Sequence, residues 1–257
     1  MVNLFWYSEM GVIVLLGLPT LAYLVIAYHR NAPPIKNLSE TISNYSLFNS
    51  LYSIFLSMAL VTLLVNFNNV QDATRRESDA IVSLARLLNG LDNADALKKR
   101  LVDYAAAVVR DDLPAMQQGA MSPQASEAFD ALWEQAYATP TTTKTEETIM
   151  RLALQDLGDM TKSRLSRRIK AKENLHPLIC GLIVLGYYVM LIKTWLTRVG
   201  NRKTQLAFEL PMFLMIILVI TVIVDLNTPF VGIVNIDTSS FDYALQRAAA
   251  LAGLPRP

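Results

Sequence analysis

The chain has 257 residues, of which 53% are hydrophobic and only 18% charged, against about 25% charge in an ordinary globular domain. Lys plus Arg number 23 and Asp plus Glu 22, a net charge of +1 that leaves no electrostatic footprint for nucleic acid. One cysteine, Cys180, excludes an intrachain disulfide. With only two distant histidines, His29 and His176, zinc sites and thiol or histidine-based nucleophilic chemistry have little to work with. No metal, no cofactor and no enzymatic activity are expected.

The charges cluster in the middle of the chain, and four stretches carry almost none. The first is Met10 to Tyr28, which at 1.5 Å per residue just covers a hydrocarbon core of about 30 Å. No Lys or Arg precedes it and Pro19 lies inside it. A retained span is therefore expected rather than a cleaved signal peptide. The second stretch is apolar from about Leu47 to Phe67, within an uncharged run from Thr41 to Gln71. The third runs from Leu175 to Ile192 and the fourth from about Gln205 to Val224. Helices are the spanning solution that these lengths permit.

Between the second and third spans lie about a hundred polar residues with helical periods. Ile81, Leu84, Leu87 and Leu88 form a stripe that continues the second span beyond the membrane. Asn93 is expected to cap a helix with Leu97, Leu101, Tyr104, Ala105, Val108 and Val109 inward. Ser122-Pro123 pairs an N-cap residue with Pro at the first helical position and opens a helix carrying Phe129, Leu132 and Trp133. After the linker Thr139 to Thr143, a helix over Glu146 to Lys172 is expected to bury Ile149, Leu152, Leu157, Met160, Leu165 and Ile169. In the tail, Ser240 is expected to cap an amphipathic helix bearing Phe241, Leu245, Ala248 and Leu251, closed by Gly253. The fold class is all-α: four transmembrane helices with a helical extramembrane domain inserted between the second and third. The expected division is 1–68 and 175–226 for the two membrane pairs, 69–174 for the insert and 227–257 for the tail.

Positive charge gives two opposed readings of sidedness. Arg30, Lys36, Lys193, Arg198, Arg202 and Lys203 place the short loops in the cytoplasm by the positive-inside rule. The flanks of the insert, with Arg75, Arg76, Arg164, Arg167, Arg168, Lys170 and Lys172, favour the opposite arrangement, but long loops are the weaker evidence and the rule leans slightly to the domain outside. Trp6, Tyr7 and Trp195 read as interfacial anchors.

Several features are candidates for function. Ser43, Ser46, Ser50, Ser53 and Ser57 recur at helical spacing, and the same register continues as Leu60 and Leu64. Hydroxyls able to solvate an ion, followed by leucines able to form a dewetting constriction, suit a pore helix. The same small residues also serve close helix packing. Arg75, Arg76 and Glu77 would form a charged ring in a symmetric oligomer, or simply a solvated helix face. Glu209 is ionisable within a span, which marks a functional site by default, although its nearness to the loop favours an interfacial side chain that snorkels or pairs with Arg202 or Lys203. Asp225 and Asn227 offer oxygens at the membrane edge for an ion or partner, or terminate the helix ahead of Pro229 and Gly232. Glu209 and Asp225 lie roughly 24 Å apart along one helix and so form no direct carboxylate pair within one subunit.

Three segments, taken in order, carry a resemblance. They are Arg76-Glu77-Ser78-Asp79-Ala80 onward to Leu87; Leu101 to Ala105 with Val108 to Pro114; and Asp225 to Gly232 followed by Phe241. Together with the spans–domain–spans layout they resemble the bestrophin-like domain family of bacterial membrane proteins, over roughly residues 45 to 250. Leu113 departs from the Trp expected before Pro114. The resemblance implies a distant relation to bestrophins, which are pentameric ion channels with a pore lined by the second span and a large cytoplasmic domain. By that analogy a hydrophobic neck falls on Leu56, Leu60 and Leu64. The acidic calcium clasp of animal bestrophins has no counterpart here. The implied protein is a homo-oligomeric channel, pentameric by resemblance, in a bacterial inner membrane. The alternative is a non-conducting scaffold or sensor whose helical domain and tail helix dock a partner protein.

Overall fold

The computed structural model describes residues 9–29, 38–196 and 202–254. Trp6, Tyr7, Arg30, Lys36 and Arg198 lie outside them, as do the side chains of Ser43, Arg202 and Lys203. The described residues are helical and contain no strand. In chain order the helices are α1 (Glu9–Val12), α2 (Leu18–His29), α3 (Leu38–Leu88), α4 (Asp95–Ala107), α5 (Leu113–Gln117), α6 (Pro123–Ala138), α7 (Lys144–Lys170), α8 (Pro177–Leu196), α9 (Arg202–Leu226) and α10 (Ser239–Leu251). Four stretches are long and apolar enough to cross a membrane: Met10–His29, Ser46–Leu88, Pro177–Trp195 and Gln205–Leu226. The chain divides into two compact units, one from Met1–Val65 and Asn174–Val234, the other from Asn66–Glu173 and Asn235–Pro257. The long helix α3 contributes to both.

In the first unit, α1 and α2 are joined by a π-helical turn, Ile13–Gly17. Pro19 accounts for the irregularity. It has no N–H to offer the Leu15 carbonyl four residues earlier, and its ring crowds that oxygen. The freed carbonyl accepts a hydrogen bond from the Tyr188 hydroxyl of α8 at 2.8 Å. The Leu16 carbonyl accepts from Thr20 at 2.6 Å and from Tyr187 at 3.2 Å. In a membrane, backbone oxygens must find such partners within the protein. Tyr23, Tyr187 and Phe213 pack edge to face between α2, α8 and α9. Helix α3 meets α8 where the Tyr52 ring lies against Gly186, and the Tyr52 hydroxyl donates to the Ile183 carbonyl at 2.7 Å.

The second unit is a helical bundle around Ile81, Leu84, Leu88, Leu97, Leu101, Tyr104, Leu132, Leu157 and Met160. Ser122 caps α6 by accepting from the Ala125 N–H, with Pro123 at the first position. Thr143 and Glu146 form a reciprocal capping box at the start of α7, which satisfies donors that a helix N-terminus otherwise leaves open. Two expected caps are corrected. Helix α4 begins after Ala94, not Asn93, and α10 after Thr238, not Ser240, and neither has a side-chain cap.

The inward face of α7 is also corrected. Leu152, Leu165 and Ile169 point outward. The buried register is Met150, Ala153, Leu157, Met160, Arg164 and Arg167. Helical spacing of three and four is kept, but arginines take its last two places because acidic partners await them inside. The tail helix α10 packs into this same core through Phe241, Ala244, Ala248 and Ala249. Its apolar face is therefore covered by its own chain, which removes the basis for reading it as a docking element.

Candidate functional site

In the first unit α3 has three distinct faces. Tyr52, Leu56, Ala59 and Leu63 are buried against neighbouring helices. Leu47, Leu51, Ile54, Met58, Val61 and Val65 form an exposed apolar face. Ser46, Ser50, Ser53 and Ser57 are exposed and, at about 100° per residue, lie roughly 120° around the helix from the buried face. Ser50 donates to the Ser46 carbonyl at 3.0 Å and Ser57 to the Ser53 carbonyl at 2.8 Å. Each of these two exposed hydroxyls thus has its proton engaged and retains acceptor capacity.

Leu64 continues the serine register and is 46% exposed; Leu60 is half-buried. Leu56 differs. It is only 7% exposed because it sits about 80° off the centre of the stripe, on the side that packs against the chain's own helices. A neck residue facing an axis between subunits must be free of such packing, so Leu56 leaves the set.

Of the charged group on α3, Arg75 and Arg76 are exposed, but Glu77 is fully buried in the second unit. Its carboxylate accepts from Arg167 Nε at 2.9 Å, from Arg167 Nη2 at 3.1 Å and from the Tyr104 hydroxyl at 2.5 Å. Arg167 also donates to Asp112 Oδ2 at 2.9 Å, and Arg164 lies 3.6 Å from that oxygen. The remaining Asp112 oxygen accepts from the Ser122 N–H at 2.9 Å. Asp112 ends the π-helical turn Val108–Asp112. The Arg167 guanidinium lies 5.3 Å from the centre of the Phe241 ring.

Two acids and two arginines thus form a charge-balanced, hydrogen-bonded cluster. Burial works against the Arg167 charge, but the Glu77 and Asp112 carboxylates outweigh it and raise its pKa further. Burial and the Glu77 charge hold the Tyr104 hydroxyl well above its ordinary range. The arrangement is a structural lock and leaves Glu77 no place in an exposed charged ring. Sequence reading missed Tyr104, Asp112, Arg164 and Arg167 as a cluster. The visible signal was two arginines falling on the apolar register of α7.

Glu209 points inward in the first unit, where it accepts from the Tyr23 hydroxyl at 2.8 Å and from Gln205 at 2.6 Å. Asp225 is buried and its two oxygens accept from the Ile233 and Val234 N–H groups at 3.0 and 2.7 Å. Gly232 takes φ 112° in the turn thus closed. Asn227 accepts from the Leu175 N–H at 2.7 Å. Asp225 and Asn227 therefore tie down backbone that follows α9 and precedes α8.

Four membrane-length helices and the absence of strands among the described residues define a polytopic α-helical membrane protein. The model of the bestrophin-like domain matches residues 16–241. The chain belongs to the bestrophin-like family. No curated protein and no solved structure matches it.

Proposed function

We propose that the chain is one subunit of a bestrophin-like ion channel, assembled as a homo-oligomer around the serine face of α3 in a bacterial inner membrane. The observation that carries this reading is the uncovered hydroxyl face of Ser46, Ser50, Ser53 and Ser57. It runs along a membrane-length helix whose packed face lies roughly 120° away. Hydroxyls on a span favour a helix interface or water over lipid. Copies arranged about an axis, five by the family resemblance, supply both. Leu60 and Leu64, one and two turns further on, form the constriction. No catalytic role is assigned to any residue. A scaffold that docks partners through its tail finds no support, since the apolar face of α10 is occupied.

The test is the subunit count by native mass spectrometry, followed by single-channel recording of the wild type, Leu60→Ala and Leu64→Ala. An oligomer with larger unitary currents in the two variants supports the reading. A monomer in mild detergent, or unchanged currents in both variants, overturns it.

A further inference from the structure

In the second unit a cavity of about 340 Å³ opens between α6 and α7, within the roughly 300–1,000 Å³ usual for small-molecule sites. Its inner wall is Phe129 and Arg164, both buried, and Trp133 forms a further apolar side. Its rim carries Arg168, Asp130 and Thr161, all exposed.

Besides its ion pair with Asp112 at 3.6 Å, Arg164 is held by side chains of the bundle. It donates to the Tyr104 hydroxyl at 3.2 Å and to Ser126 Oγ at 3.1 Å, and its guanidinium lies 5.7 Å from the Phe129 ring centre. Five N–H donors exceed the two hydrogen bonds made, so a preorganised guanidinium borders the cavity. Arg168, one turn along the same helix, makes no ion pair among the described residues and brings a second guanidinium to the rim. Aromatic walls beside two arginines are the surroundings in which a planar anion is recognised, by charge-assisted hydrogen bonds at one end and ring contact at the other. Asp130 on the same rim repels a second negative charge, and Asp112 offsets part of the Arg164 charge from behind.

We propose that this cavity binds a small organic monoanion, a carboxylate carried on an aromatic or apolar body. The anionic end meets Arg168 and Arg164 and the body lies against Phe129 and Trp133. The assignment goes beyond channel activity and stands whether or not the protein conducts.

The experiment is titration calorimetry of the full-length, detergent-purified protein with benzoate, and with benzamide as its neutral isostere. Saturable binding of one benzoate per chain is expected, with none for benzamide. Arg168→Ala is expected to weaken benzoate by at least about tenfold, or roughly 1.4 kcal/mol, and Thr161→Phe, at the rim, to block it. Arg100→Ala, an exposed arginine on α4 outside the cavity, should leave it unchanged. No saturable heat at millimolar benzoate, equal binding of benzamide, or equal affinity in Arg168→Ala would each overturn the proposal. Circular dichroism on each variant separates loss of the site from loss of fold.

Discussion

Glu77 and Arg167 stand ninety positions apart in the chain, yet the carboxylate of one receives both Nε and Nη2 of the other, at 2.9 and 3.1 Å, with neither side chain reaching solvent. A buried pair of this kind costs more to break than to replace, because the surviving charge has nowhere to go. Arg167→Leu takes from Glu77 its ion-pair partner and leaves Asp112 only Arg164, 3.6 Å away. A loss of about 3–5 kcal/mol is expected, seen as a lower melting temperature of the full-length protein in detergent. An unchanged melting temperature would show that the cluster stabilises nothing.

The Leu15 carbonyl, left without its helical donor by Pro19, relies on Tyr188. Tyr188→Phe removes that donor and keeps the ring, so about 1–3 kcal/mol should be lost. Pro19→Ala in the same background returns an N–H to the helix and should recover most of it. If Tyr188→Phe is neutral on its own, Leu15 does not depend on this bond.

Gly186 leaves room for the Tyr52 ring, because a Cβ there would collide with it. Gly186→Ala should cost about 1–3 kcal/mol through forced displacement, and Tyr52→Ala should relieve that component. A double-mutant cycle in thermal unfolding measures the coupling. Strict additivity would separate the two residues.

Glu146 accepts from the Thr142 hydroxyl, the Thr142 N–H and the Thr143 N–H. Those bonds hold its carboxyl down to about 2, against an ordinary value of about 4.3. A depressed folded-state pKa adds stability that is present above the ordinary value and lost as pH falls through the folded one. The melting temperature should thus fall between about pH 4 and pH 2 less steeply in Glu146→Gln than in the wild type. Equal slopes would contradict the capping box.

The spans were legible in the sequence because uncharged runs of membrane length have few other uses. Ser122-Pro123 and Gly253 were legible because their signals are local: an acceptor beside a fixed φ, and a residue free to take φ +67°. What the sequence hid was tertiary. Arg164 and Arg167 read only as part of the basic flank of the insert until their buried acidic partners are known. Glu77 read as exposed beside Arg75 and Arg76, and only the bundle turns it inward. Leu56 fits the hydrophobic neck by family analogy, but the exact register puts it on the packed flank. Asn93 and Ser240 are good capping residues by type, yet α4 starts after Ala94, one position on, and α10 after Thr238, two positions back.

The pore assignment rests on which face of α3 meets water when the protein is assembled. In a Cys180→Ser background, Ser57→Cys and Met58→Cys place thiols on adjacent residues of that helix, one on the hydroxyl face and one on the exposed apolar face. Purified protein in planar bilayers is expected to conduct, and a water-soluble thiol reagent should block Ser57→Cys while sparing Met58→Cys. Absence of conductance in the unmodified protein, or block at position 58 but not 57, would contradict a pore lined by the serines.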